Sequence, residues 1–390
     1  MRILIAGAGI GGLTAALALR RQGFDDVVVL EQAAALGEVG AGVQVGSNAA
    51  RVLHSFGLEE ALAAVAVQPI GTQSRHWASA RVIRDFPLGE AHRQRYGAPH
   101  YHIHRADLHA MLAKGQPVKL ASKVAGFRQD AQGVTLELVS GEEVRGDVLI
   151  GADGVHSVIR AGVLGPEQPR FSGLAAWRGL TPVDRLEALG IEKRTYAWWG
   201  AGKHFVHYYV AGGRLMNWVG VVPAGEWRLE SWSARGEKRE ALAEFEGWHP
   251  VVRGIIEGCD QPYKWALYDR DPRPGWSQGR VTLLGDAAHS MLPFMSQGAA
   301  QAIEDGCVLA RCLARGHRDL PAALSEYERL RFERTKRVQL GSRANGDVFH
   351  LSSPLAKLWR DLRFRVASFT RRSTIHKNLD WLFQYDATTQ

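Results

Sequence analysis

The feature that most constrains this chain is a glycine-rich turn set between a buried strand and a helix at its very start. Residues 2–6 form a short apolar run, as a strand covered on both faces requires. Gly7-x-Gly9-x-x-Gly12 follows, and then Leu13 to Gly23, whose apolar periodicity and strong helix formers predict an amphipathic helix ending at Gly23. A second buried strand, Val27 to Leu30, closes a βαβ unit. Each glycine has a steric reason. Gly7 permits the tight turn, Gly9 lets the backbone approach a pyrophosphate, and Gly12 lets the helix pack closely on the strand. The unpaired N–H groups of the helix start suit phosphates. Glu31, at the end of the second strand, stands where a carboxylate accepts hydrogen bonds from ribose hydroxyls. Its charge repels a 2′-phosphate, so the motif points to FAD or NAD rather than NADP.

The rest of the chain divides by pattern. Residues 71–97 are irregular and polar; Tyr101 to Leu112 reads as a strand passing into a helix. Alternating stretches at 117–140 read as strands joined by turns at Gln132-Gly133 and Ser140-Gly141, and Asp147 to Ala152 as another buried strand. Nine of the twelve tryptophans then fall between Trp177 and Trp276, among alternating runs that predict a mostly antiparallel sheet. Nucleotide-type sequence returns at Arg280–His289, before a helix from about Ala299 to Ala314; the remainder is helical and basic, broken at Pro354. The predicted fold class is α/β. A Rossmann-like FAD-binding domain comprises 1–70, 98–165 and 277–340, a mixed β-sheet substrate domain comprises 71–97 and 166–276, and a helical region 341–390.

Composition removes several function classes. Three cysteines without a CxxC pair give no disulfide framework and no zinc site, so no metal is expected and a reducing, cytoplasmic setting is. The start of the chain reads as a strand, not a signal peptide, and no apolar run is long enough for a membrane helix. The net charge of +8 is spread without a dense basic run, which argues against nucleic acid. Such a field would draw in an anionic aromatic acid and a phosphorylated cofactor.

Two further motifs follow in order. Asp153-Gly154-x-x-Ser157-x-x-Arg160 comes after the strand ending at Ala152, and Gly285-Asp286-Ala287-Ala288-His289 is followed by Pro293, Gln297-Gly298 and Glu304-Asp305. With the N-terminal glycines, these make the chain resemble the class A flavoprotein aromatic hydroxylases, typified by para-hydroxybenzoate hydroxylase, across nearly its whole length. The resemblance implies a GR2-type FAD-binding fold, NADH or NADPH as transient reductant, and oxygen transfer from a flavin C4a-hydroperoxide to a ring activated as phenolate, next to its hydroxyl. It implies roles for Asp286 at the flavin ribityl chain and for Gly298 and Ala299 at the pyrimidine edge. Arg105 would serve the pyrophosphate or ribityl side, and Val124 the adenosine side. The Asp153–Arg160 motif serves FAD and the nicotinamide in that family; a helix cap by Asp153 with a surface arginine is the alternative. The stretch Gly37–Gln44, too glycine-rich for a helix interior, corresponds to the mobile segment over the flavin, with Gly42 in it.

Within the salicylate hydroxylase and 3-hydroxybenzoate 6-hydroxylase branch, a His with a Tyr four residues later marks the substrate site. Strand alternation puts His204, Val206 and Tyr208 on one face here. By resemblance His204 is the base for the substrate phenol and Tyr208 lines the site, while His207, on the other face, is structural. Trp381 to Asp386 is also similar to that branch. Phe294, where some relatives carry a polar residue, implies a hydrophobic wall. The expected function is FAD-dependent hydroxylation of a salicylate- or hydroxybenzoate-type acid by a monomer or homodimer. The alternatives are a monooxygenase of a larger polycyclic or quinone-like substrate, or a non-enzymic FAD redox sensor.

Overall fold

The structure is a computed structural model that describes residues 1–37, 41–225, 234–370 and 379–389. Strand Ile3–Ala6 sits inside a six-stranded sheet, ordered Ser277–Gln278, Val281–Leu283, Val148–Gly151, Ile3–Ala6, Val27–Leu30 and Val118–Lys119. All its pairings are parallel except the edge pair of Ser277–Gln278. Side-chain alternation explains why the strand is apolar throughout. Ile3 and Ile5 pack with helices Ile10–Arg21 and Gly298–Gly316, whereas Leu4 and Ala6 pack with a three-stranded sheet of Val124–Gln129, Val134–Leu138 and Glu143–Gly146.

The second layer is a seven-stranded sheet, ordered Tyr263–Asp269, Arg170–Pro182, Leu215–Pro223, His204–Val210, Thr195–Trp199, Gly71–His76 and Val82–Pro87. It is antiparallel apart from the pairing of Thr195–Trp199 with Gly71–His76. One face buries Trp177, Trp198, Trp218, Phe205 and Phe245 beneath helices Lys238–Glu244 and Pro250–Glu257. The stretch 71–97, irregular in sequence, thus supplies two strands and helix Glu90–Tyr96. Its polar residues hide the pattern because they are satisfied in place. Arg75 donates to Gln73 at 2.6 Å and lies over the rings of Tyr196 and Trp198.

Small residues hold the cofactor-side layer tight. A Cβ on Gly306, inside helix Gly298–Gly316, would lie 2.7 Å from the backbone nitrogen of Ala15 in helix Ile10–Arg21. Among the described residues no helix is long and apolar enough to cross a membrane. An isolated helix gains about 1 kcal/mol from Gly→Ala. Gly306→Ala should have the opposite sign, a loss of about 1–3 kcal/mol, because the added methyl has only rigid backbone to push against. A urea midpoint at or above wild type would show that the two helices can part freely.

Candidate functional site

The glycine-rich turn is closed on two sides and open on the third. A Cβ on Gly7, whose φ is +106°, would fall 2.4 Å from the Ala152 carbonyl oxygen, and one on Gly12 would fall 2.0 Å from that of Gly7. A Cβ on Gly9 would meet nothing within 4 Å among the described residues. Gly9 is also the N-cap of helix Ile10–Arg21, which has no side-chain cap and no acid in its first turn. Open N–H groups beside a Cβ-free approach make a cradle for a pyrophosphate. Glu31 frames it: one carboxylate oxygen accepts from Ala8 N at 2.8 Å, the other from Ala33 N at 2.9 Å. The Glu31 backbone pairs with Lys119 and Ser122, which brings the segment leading into Val124 alongside.

The Gly285–His289 turn lies next to it, because Gly11 packs against Leu284 and Ala302, and Gly285 against Ala302. Asp286 is solvent-accessible yet surrounded by protein, as a side chain lining a deep slot would be. Burial raises its pKa, opposed by His289 and Arg105. Arg105 begins helix Arg105–Ala113, and its N–H donates to Ala41 O at 2.8 Å. Helix Gly298–Gly316 opens with Gln297 as an uncapped N-cap, and a Cβ on Gly298 would touch nothing within 4 Å among the described residues. Its start, with Gly298 and Ala299, is a second free helix N-terminus.

The Asp153 motif is a helix cap. Asp153 accepts from Ser157 Oγ at 2.5 Å and from Val158 N and Ile159 N at 2.8 and 3.2 Å, while its Cα lies beside Gly7. Burial raises its pKa against these bonds. The alternative of a surface arginine is wrong, however. Arg160 is 1% exposed and ties the two turns, donating to the carbonyls of Ala287 and Ala288 and to Glu167.

Strand Gly42–Val45 connects this layer to the seven-stranded sheet. Gly42 N donates to Asn217 Oδ1 at 2.6 Å, and a Cβ there would overlap Asn217 and Tyr208. Glu38, Val39 and Gly40, from the glycine-rich segment, lie outside the described residues. Tyr208 is buried against His102, with ring centroids 4.5 Å apart, and burial raises its pKa. His204 is 3% exposed, edge-on to Phe294 and Phe349, and its Nδ1 lies 2.6 Å from His350 Nε2. Burial first, and then His350, push its pKa well below the ordinary histidine value. Phe294 is buried, close against Gly346 of helix Leu320–Phe349. His207 stacks on Tyr196 and Trp198; burial, helped by Arg75, lowers its pKa to about 3.

Asn217, His350 and Arg331 were not among the expected residues. Asn217 had a readable signal, a lone amide in the apolar run Leu215–Pro223. The others had none. Arg331 is 0% exposed and donates to Glu304 at 2.6 Å and Asp305 at 2.7 Å. Asp305 also accepts from Gly285 N and pairs with His289 Nε2 at 2.6 Å.

Residues 1–340 match the family model described as "FAD binding domain". The chain is 41% identical over 363 residues to a 3-amino-4-hydroxybenzoate 2-monooxygenase of Streptomyces platensis, covering 92% of this chain and 91% of that protein. It is 39% identical over 356 residues to a 3-hydroxybenzoate 6-hydroxylase of Polaromonas naphthalenivorans, covering 89% and 88%. A salicylate hydroxylase solved as a substrate complex superposes with a TM-score of 0.83 at 27% identity, covering 100% of this chain and 96% of that one.

The buried acids give this region a pH signature. Burial alone would raise the Asp305 carboxyl, but His289 and Arg331 outweigh it and bring the pKa to about 2. A depressed folded-state pKa gives stability that is complete above the unfolded value, about 4, and is lost as pH falls through the folded one. Asp305→Asn should therefore flatten the acid limb of stability between about pH 4 and 2. At neutral pH it should cost about 3–5 kcal/mol, as removal of one partner from a buried pair does. An acid limb identical to wild type in urea titrations would show that Asp305 is not ionised in the fold.

Proposed function

The chain belongs to the FAD-binding-domain family as a class A flavoprotein hydroxylase, an FAD-dependent monooxygenase, and from that premise we propose that it hydroxylates a small aromatic acid bearing a phenolic hydroxyl. Hydroxybenzoates, amino-substituted ones included, are the substrate class, with NADH or NADPH as reductant. The observation that carries the reading is the junction of the two sheets. There Gly42, on the cofactor side, touches Asn217 and Tyr208 of the seven-stranded sheet, and His204 shares the Tyr208 strand face.

The residues present fit FAD. Gly7, Gly9, Gly12 and the helix start behind them would hold the pyrophosphate, with Glu31 on the adenosine ribose and Val124 on the adenosine side. Arg105 and Asp286 would hold the ribityl side, Gly298 and Ala299 the pyrimidine edge, with Asp153 bordering the turn and Gly42 the ring. A helix N-terminus at that edge favours negative charge on the reduced ring system. We assign residues 1–70, 98–165 and 277–340 to this domain and 71–97 and 166–276 to the substrate domain, with 341–390 as the helical region. FAD, when bound, supplies the reductive activation of O₂. His204, neutral because burial disfavours its charged form, is free to accept the phenol proton. Loss of that proton enriches the ring positions ortho and para to the oxygen, where a new C–O bond forms. Tyr208 lines the site, and the surrounding aromatic wall excludes water. The NAD(P)H requirement and three buried free cysteines suit the cytoplasm.

The test is substrate-stimulated NAD(P)H oxidation across a hydroxybenzoate panel, with product mass determined. A product one oxygen heavier is expected; no stimulation by any phenolic acid would reject the substrate class. His204→Ala should retain FAD but release hydrogen peroxide in place of product, with hydroxylation reduced on the order of 10²-fold or more. Asp286→Ala should weaken FAD binding by about 1.5–3 kcal/mol, the scale of a hydrogen bond to a charged group. Wild-type hydroxylation by His204→Ala would move the base elsewhere, and undiminished FAD affinity in Asp286→Ala would clear Asp286 of that contact.

A further inference from the structure

His204 has a difficulty as a base that its surroundings define. Its ring is buried between Phe294 and Phe349, and neither can stabilise an imidazolium as a carboxylate would. A phenol has a pKa of about 10, so transfer to a histidine depressed below about 6.5 is strongly uphill if the proton stays there. Among the described residues, the one side-chain hydrogen bond of His204 leads outward. Its Nδ1 meets Nε2 of His350 at 2.6 Å, with the rings tilted by 31° and their centroids 4.8 Å apart.

His350 is held from two sides. It ends helix Leu320–Phe349 as the C-cap, with its N–H on Gly346 O at 3.0 Å. Its own carbonyl accepts from Gly202 N at 3.3 Å, in the turn that leads into the His204 strand. It is half-buried, and the neighbouring Asp347 is exposed. Among the described residues the charged groups around the pair are few. Asp347 acts on His350, Arg360 donates to Val348 O nearby and is paired with Asp361, and Lys203 is turned away onto Glu244.

We propose that His350 is the outer half of a proton path that carries the substrate's phenolic proton from His204 to solvent; this rests on the reading of His204 as the base. The phenol O–H breaks as an Nε2–H bond forms on His204. The Nδ1–H of His204 breaks as an Nε2–H bond forms on His350, and the Nδ1–H of His350 passes to water. Neither ring keeps a charge, and one proton leaves for each phenolate formed. Reprotonation of the product, running backwards along the same path, restores both tautomers. Burial, against the pull of Asp347, lowers the His350 pKa to about 4, so its ring too is neutral at neutral pH and able to pass a proton without holding one.

The test uses the FAD-loaded full chain mixed with 3-amino-4-hydroxybenzoate and, separately, 3-hydroxybenzoate, following phenolate absorbance by stopped flow. His350→Gln keeps an acceptor for His204 but cannot pass a proton, so it separates the path from packing. It should bind the probe as wild type does and form phenolate on the order of 10²-fold more slowly. His350→Ala should be equally slow, and added imidazole should restore its rate but not that of His350→Gln. Phenolate formation by His350→Gln at the wild-type rate would overturn the proposal. So would weakened binding with no imidazole rescue of His350→Ala, which would make His350 a packing residue. His204→Ala distinguishes the two readings. If it too ionises the probe normally, the base assignment falls; if it fails while His350→Gln succeeds, only the proton path falls.

Discussion

Arg331 is the residue on which the cofactor side of this fold depends. It is wholly buried, between two carboxylates that are also wholly buried. An isolated guanidinium there would be prohibitive, and two isolated carboxylates more so. Together with Arg334, which bonds Glu304 at 2.7 and 2.8 Å, the charges balance and their hydrogen bonds are shared. The planar fork of Arg331 reaches Asp305 with Nε and Glu304 with Nη1, a geometry a lysine could not supply. Two of the segments that frame the proposed flavin slot, the Gly285–His289 turn and the start of helix Gly298–Gly316, are fixed to this cluster. Asp305 holds Gly285 and His289 on either side of Asp286. Asn48 bridges Glu304 to Gln297, immediately before the open helix start at Gly298. Arg334 extends the cluster to the carbonyls of Trp381 and Leu382 and lies 4.0 Å above the Tyr385 ring. An anionic centre is thereby kept rigid and neutralised from behind, so that the two helix N-termini ahead of it present their positive ends without competition from a buried acid.

The other constraint is closeness. The two layers meet where glycine stands at Gly42, and Tyr208 and Asn217 occupy the volume that any side chain there would need. Asn217 stands opposite Tyr208 in the strand register, so the amide and the ring arrive as a pair. The same amide accepts from the Gly42 backbone, so a contact with no local reason in sequence becomes a link between cofactor side and substrate side. Steric permission and one hydrogen bond do this together; neither alone would fix how the segment passes the tyrosine.

What the sequence displayed was what local chemistry dictates. The Gly7–Gly12 turn, the Asp153 cap and the Gly285–His289 turn each need particular residue types a few positions apart, and each is legible for that reason. His204 and Tyr208 were legible as alternation on one strand and gained meaning only through family likeness. Partners far apart in the chain were invisible. His350 meets His204 across 146 residues, and Arg331 looks like one more basic residue in a helix rich in them. Arg160 shows the consequence: the alternative of a surface arginine could not be set aside from sequence, yet the residue is buried, because three acceptors from two other segments converge on it. The 71–97 strands were hidden for the converse reason, that polar side chains satisfied by one another break the alternation a strand normally displays.

The basic excess has a structural explanation that bears on the substrate. Some guanidinium groups rest on aromatic faces: Arg75 on Tyr196 and Trp198, and Arg337 on Trp381, while Arg360 lies over Trp199 and also pairs with Asp361. A ring face stabilises a cation through its quadrupole without cancelling its charge, as a carboxylate would. At Arg75 the tryptophan-rich sheet therefore carries a positive charge whose long-range field the rings do not cancel. For an aromatic acid that must enter as a carboxylate and then lose a second proton, such a field helps twice. It raises the local concentration of the anion, and it lowers the cost of the dianion once the proton has gone. That is the condition under which the proposed pair of neutral histidines, with no carboxylate beside His204 among the described residues, would serve where a charged base would be too costly to bury.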